Sequence, residues 1–158
     1  MYSPMNNNFE IAKELLTKNG KITGLASGIS MKPLLRSGKD NAVIIPNPQH
    51  LRENDVVLYR RNENNELILH RIIKITQNGF IIRGDNVYYT EKDVKTQDII
   101  GILKGFYRNG KYHDCENSTL YKLYVLYIRI SYPVRFFSVK SLSLLKRILR
   151  KIKHILIK

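Results

Sequence analysis

Between residues 21 and 107 the chain alternates short apolar runs with polar breaks, and this rhythm restricts the fold more than any other feature. The runs are "KITGLAS" (21–27), "AVIIP" (42–46), "DVVLYR" (55–60), "ELILHRIIKI" (66–75), "GFIIR" (79–83) and "DIIGILKGFY" (98–107). Each has the length of a strand, and turn-forming residues bound it. The breaks are "RSGKDN", "NPQHLREN", "RNENN" and "TQNG". The last two are short enough for hairpins, which favours antiparallel neighbours over βαβ crossovers. The expectation is a mainly β body.

Both ends depart from this rhythm. "NNFEIAKELLTKNG" reads as a short N-terminal helix, with Asn7 or Asn8 as its cap. Phe9, Ala12, Leu15 and Leu16 share one face of it, and Gly20 ends it. From about Ser118 the apolar period lengthens to that of a helix. In "VKSLSLLKRILRKIKHILIK", Leu142, Leu145, Ile148, Leu149, Ile152, Ile155 and Leu156 fall on one side. Lys140, Lys146, Arg147, Arg150, Lys151, Lys153 and Lys158 fill most of the other. This is a basic amphipathic helix. The chain therefore divides into a body, 1–117, and a helical tail, 118–158.

The charge sharpens that division. Of the 27 Lys and Arg, ten lie from Ser118 onward, where there is no Asp or Glu. The preceding residues carry 17 bases against 13 acids, so the net charge of +14 belongs mostly to the tail. Cys115 is the single cysteine, which excludes an internal disulfide, and no histidine cluster accompanies it. Neither a metal nor a cofactor is called for. "MYSPMNNNFEIAKELL" lacks a basic start followed by an apolar core, so no secretory signal is expected. The longest apolar stretch, "LYKLYVLYIRISYPVRFF" (120–137), is broken by Lys122, Arg129, Pro133 and Arg135. It falls short of the ~18 uninterrupted apolar residues of a membrane span. A peripheral membrane or cytoplasmic protein is the expectation.

Three places in the body carry chemistry. In "GISMKPLL", Ser30 sits where a strand breaks into a turn, with Gly28 before it and Pro33 after. It reads either as ordinary turn chemistry or as an exposed nucleophile with backbone N–H groups nearby for an oxyanion. In "LILHRII", strand alternation puts Ile68, His70 and Ile72 on one face and Leu69, Arg71 and Ile73 on the other. A histidine between isoleucines reads as a hydrogen-bonded core residue, yet imidazole is also the side chain suited to take a serine proton. In "RGDN", Asp85 is a turn residue by default, or an acceptor that fixes an imidazole tautomer. His50, His113 and His154 lie in loops or the tail and are weaker candidates.

The order of these pieces carries a resemblance. "GISMKPLL", "NDVVLYR", "LILHRIIKI", "IIRGDN" and "DIIGILKGF" follow one another as in the catalytic domain of type I signal peptidases. The likeness covers about residues 21–107. It is closer to the branch of the endoplasmic reticulum, archaea and some spore-forming bacteria, in which histidine replaces the lysine general base. The resemblance implies a signal-peptidase/LexA-like antiparallel β catalytic fold that accepts an extended substrate strand beside the serine. It implies Ser30 as nucleophile, His70 as general base and Asp85 as the required acid. Gly28, Ile29, Met31 and Pro33 would surround the oxyanion and substrate. The implied partner is a precursor protein or peptide, cleaved after small residues. The chain differs from the family pattern at several points. Gly38-Lys39-Asp40 stands for a Gly-Asp pair, Asn54-Asp55 for another, and Glu91 or Asp93 for a second aspartate beyond G-D-N. The N-terminal helix is too short to be the family's membrane anchor, which would need ~20 residues.

The tail is a candidate substitute. Lys146, Arg147, Arg150, Lys151 and Lys153 would face an anionic leaflet while the Leu/Ile stripe enters the interface. The same stripe could instead pack on the body or on a second subunit; nucleic acid ranks below both, because no recognised module accompanies the charge. The leading expectation is a serine endopeptidase that trims a signal or leader segment. One alternative is a LexA-like self-cleaving peptidase with Lys74 as its base. Another is a non-enzymatic membrane-surface or partner-binding protein that retains the fold.

Overall fold

Helix α1 spans Asn7–Asn19, and Gly20 terminates it with φ of 67° while its N–H donates to Leu16 C=O at 2.9 Å. A glycine adopts that left-handed conformation without steric cost. Phe9, Ala12 and Leu16 are buried, as the helical period requires, whereas Leu15 is exposed. The computed structural model describes residues 7–61, 66–134 and 136.

Eight strands follow: β1 (Ile22–Leu25), β2 (Asn41–Pro46), β3 (Val56–Arg60), β4 (Leu67–Thr76), β5 (Gly79–Arg83), β6 (Glu91–Val94), β7 (Ile99–Arg108) and β8 (Lys111–Asp114). They form one sheet in the order β1-β2-β7-β3-β4-β5-β6, with β8 also on β7. Every pairing among them is antiparallel. The fold is mainly β, with a short N-terminal helix and a C-terminal helix that runs over 119–134. The chain divides into two compact units with the boundary after Tyr121.

The core explains the strand pattern. Val57, Tyr59, Ile72, Phe80, Ile82, Val94 and Ile99 form one buried cluster, with Leu51, Ile68 and Ile102 against it. These residues come from five strands, β3 to β7, so one face of the sheet collects their apolar side chains. At Gly101 a Cβ would stand 2.5 Å from Ile45 O and 3.3 Å from Leu16 Cδ1. Glycine there lets α1 and β2 approach β7 closely. The pairing of β4 with β5 shifts register between Ile72 and Lys74, a bulge that re-aims the residues beyond it. Up to Ile72 both faces of β4 are closed at His70 and Arg71; beyond it Lys74 and Ile75 are exposed.

Candidate active site

Ser30 occupies the loop between β1 and β2, and the loop is fastened at both ends. Gly28 enters it with φ of 75°. Met31, Leu34 and Leu35 are buried and anchor it, and Leu35 N–H donates to Met31 C=O at 3.0 Å. At its far end Asp40 is fully buried. Its carboxylate accepts from Arg36 N at 2.8 Å, Arg36 Nη2 at 2.8 Å and Arg108 Nη2 at 2.6 Å. Burial alone would raise the Asp40 pKa, but the bonds from Arg108 and Arg36 prevail and hold it well below the usual carboxylate range. A second guanidinium bond, from Arg108 Nη2 to Leu34 O at 2.8 Å, ties β7 to the loop.

The fastening leaves the reactive part open. Ser30 is half-buried, and its hydroxyl has no hydrogen-bond partner among the described residues. Gly28, Ile29 and Pro33 lie at the surface, with Ile29 62% exposed. The Met31 side chain is buried. The N–H groups of Ser30 and Met31 donate to nothing among the described residues.

The "GDN" turn, which follows β5, lies between this loop and His70 on β4. Asn86 N–H donates to Ser30 C=O at 2.7 Å, and Asn86 Nδ2 donates to Ile29 C=O at 3.2 Å. A Cβ placed on Gly84 would lie 2.7 Å from Ser30 O and 2.9 Å from His70 Nε2. The serine backbone and the imidazole nitrogen are therefore no farther apart than those two distances combined. Only a residue without a side chain fits between them. The glycine creates the meeting point, and the asparagine secures it.

His70 is 1% exposed, and burial pushes its pKa down to about 4, against the opposing charge of Glu91. It is neutral at pH 7 and able to accept a proton. Its Nδ1 lies 3.3 Å from the Tyr59 hydroxyl and 3.5 Å from Glu91 Oε1. Arg61 grips the same carboxylate, with Nε 3.1 Å from Oε2 and Nη2 2.5 Å from Oε1. Burial opposes the ionisation of Glu91, but the bonds from Arg61 and Tyr59 win, and its pKa is lowered. A cleft of roughly 500 Å³ lined by Tyr59, Arg61, Tyr89 and Glu91, among others, opens beside this cluster. Asp93, the other acid considered beyond "GDN", is exposed.

Asp85 lies on a different contact. Arg71 Nε donates to its Oδ1 and Nη2 to its Oδ2, both at 2.7 Å, and both residues are almost wholly buried. Arg71 Nη1 also donates to Asn54 O at 2.8 Å and to the Tyr121 hydroxyl at 3.0 Å. Both carboxylate oxygens of Asp85 thus serve Arg71, and the acid beside His70 Nδ1 is Glu91. The expectation that Asp85 orients the imidazole gives way to a less direct part: it holds the arginine next to His70 in the chain. Asn54 adopts φ of 78°, a left-handed conformation that asparagine visits more readily than most residues.

Sequence reasoning did not pick out Tyr59, Arg61, Arg71 or Asn86. A charged residue inside an apolar strand, Arg71 in "LHRII", was the available signal for one of them, since a buried arginine needs an acid. Lys74 lies beyond the bulge and is exposed. Cys115 is buried, and burial pushes its thiol up to about 12. No cluster of three metal-ligating side chains occurs among the described residues. Lys146, Arg147, Arg150, Lys151 and Lys153 lie outside the described residues. No protein-family model matches the chain, and no curated protein matches its sequence.

Proposed function

We propose that the chain is a serine endopeptidase of signal-peptidase type, cutting a signal or leader segment from a precursor after small residues. The observation that carries the reading is the convergence of the Ser30 backbone carbonyl and His70 Nε2 on Gly84, which brings the serine's segment beside the imidazole. Ser30 Oγ attacks the scissile carbonyl carbon, and Nε2 takes the hydroxyl proton. The N–H groups of Ser30 and Met31 are the donors for the oxyanion. The C–N bond then breaks, and the imidazolium gives its proton to the leaving amine. Water, deprotonated by the same nitrogen, releases the acyl group and restores the serine. The absent Oγ–Nε2 hydrogen bond fits a site that tightens on binding substrate. An extended substrate would run past the exposed Leu25 and Ile29, beside edge strand β1.

Among the described residues no helix is long and apolar enough to cross a membrane. Attachment to an anionic membrane surface is the fitting arrangement for this chain. Supporting it are the exposed Leu123, Tyr127, Ile130 and Val134 of the C-terminal helix, spaced three or four residues apart, together with the acid-free charge from Ser118 onward. Co-sedimentation with phosphatidylglycerol vesicles, but not with phosphatidylcholine vesicles, is the expected result.

The peptidase reading is tested with an Ala-x-Ala precursor peptide. Wild type cleaves it after the second alanine, and Ser30→Ala and His70→Ala do not. Equal turnover by all three proteins would remove the proposal.

A further inference from the structure

The Tyr59 hydroxyl has a place in the His70 cluster that neither strand pairing nor the motifs explain. Tyr59 is fully buried on β3, and its register partner on β4 is Ile68, so His70 is its diagonal neighbour. An aromatic side chain reaches that far. The ring centroids are 6.1 Å apart, and the phenol oxygen is 3.3 Å from Nδ1. That oxygen is nearer to Nδ1 than Glu91 Oε1 is, at 3.5 Å. Glu91 also acts on the phenol, raising its pKa together with burial. β3 and β6 are not neighbours in the sheet, so this contact forms across the sheet's face.

Two proton arrangements fit Tyr59 and His70 taken alone, and the Glu91 carboxylate beside Nδ1 selects between them. Glu91 is ionised and held by two bonds from Arg61, so it only accepts. The phenol is neutral, because burial and the neighbouring Glu91 both raise its pKa. It has one proton to give. A bare Nδ1 would set its lone pair against the ionised Glu91 Oε1 at 3.5 Å, so Nδ1–H is the form that fits, with the phenol oxygen at 3.3 Å as its nearer acceptor. A neutral imidazole protonated at Nδ1 is bare at Nε2, the nitrogen on the side of Gly84 and the Ser30 backbone.

We infer that Tyr59 is the positioning residue that sets the His70 tautomer, receiving Nδ1–H and donating its own proton to a Glu91 carboxylate fixed by Arg61. The imidazole thereby keeps an unprotonated Nε2 toward the serine, and the carboxylate balances the charge when Nε2 gains a proton. The catalytic consequence rests on the peptidase reading; the tautomer does not.

Two measurements on the full chain separate them. The first is a long-range 1H–15N correlation spectrum of histidine-labelled protein at pH 7. Wild type shows His70 as the Nδ1–H form. Tyr59→Phe, which removes one oxygen and keeps the ring, shows a mixture. Glu91→Gln offers a donor to the phenol oxygen, so the phenol turns its proton to Nδ1 and His70 moves to the Nε2–H form. The second is the labelling rate of Ser30 by a fluorophosphonate. It falls about tenfold in Tyr59→Phe, the weight of one neutral hydrogen bond. It falls by roughly 10²–10⁴ in Glu91→Gln, where the wrong nitrogen carries the proton. If Tyr59→Phe does not fold, Glu91→Gln decides alone. An Nε2–H form in wild type, or an unchanged tautomer in the variants that fold, overturns the inference. Tautomers that shift as described in a protein whose Ser30 never labels would uphold it and remove the peptidase reading instead.

Discussion

His70 and Arg71 are adjacent, on opposite faces of β4, and both are 1% exposed. Their surroundings differ in kind. Arg71 meets Asp85 through two parallel bonds of 2.7 Å and extends two more to Asn54 O and the Tyr121 hydroxyl. Its guanidinium is a fixed fork with its donors engaged. Among the described residues His70 has the longer approaches to Tyr59 and Glu91 at Nδ1, and Nε2 faces a glycine. One face of the strand is locked, and the other is held just firmly enough to keep an imidazole aimed. Under the proposed mechanism His70 gains and loses a proton, which a group gripped as a structural ion pair could not do. The rigid side supplies the reference frame for the adjustable one.

The comparison breaks first, and most visibly, at Arg71. Arg71→Ala leaves Asp85 buried without its cation and is expected to cost about 3–5 kcal/mol of stability. Urea denaturation should show this, while His70→Gln should cost only about 1–2 kcal/mol. Serine labelling should be lost in His70→Gln although it folds. If the two substitutions destabilise equally, the two faces are not different in kind.

Gly84→Ala sharpens the adjustable side. The new methyl would lie 2.7 Å from Ser30 O and 2.9 Å from Nε2, so the loop and the imidazole must separate. A displacement on the order of 1 Å is expected to slow serine labelling about 10²-fold. The far-UV circular dichroism should be unchanged, since the sheet does not use that contact.

The pH response of the two faces is the subtler contrast. Burial lowers the His70 pKa from 6.5 to about 4, so the folded protein binds its proton less readily than the unfolded chain does. Stability is then full above about pH 6.5 and falls as pH drops toward 4. Urea midpoints taken across that window should fall more in wild type than in His70→Gln. The acid limb of serine labelling should lie near pH 4 rather than 6.5. Arg61→Gln should move that limb upward, because the Arg61 cation opposes a charged imidazole.

What the sequence made legible follows from which forces are local. The strands of the body were readable because "AVIIP", "DVVLYR" and "GFIIR" bury side chains in a period that any half-buried strand must have. β6, "EKDV", and β8, "KYHD", carry no such pattern: one is an edge strand and the other flanks β7, and both are largely exposed. The "NG" at Asn109–Gly110, both with positive φ, was a hairpin signal for β8 that apolar periodicity alone passes over. Leu15 was assigned to the buried face of α1 and lies outside it, because at 3.6 residues per turn it falls beyond the arc that Phe9, Ala12 and Leu16 share. At the site, the resemblance carried by the ordered motifs "GISM", "LILH" and "GDN" pointed to Ser30, His70 and Asp85. It could not tell which acid would face the imidazole. Glu91 and Tyr59 reach His70 from strands that are not paired with one another, and only the folded sheet brings them together.

The central claim is that Ser30 and His70 work as a pair, and the pH dependence of fluorophosphonate labelling tests it most directly. Mass spectrometry of wild type should find the adduct on Ser30, forming at a rate that rises through an acid limb near pH 4 and then levels. His70→Ala should label at least 10²-fold more slowly and lose that limb. Labelling of Ser30 at the same rate and with the same pH profile in both proteins would contradict the account.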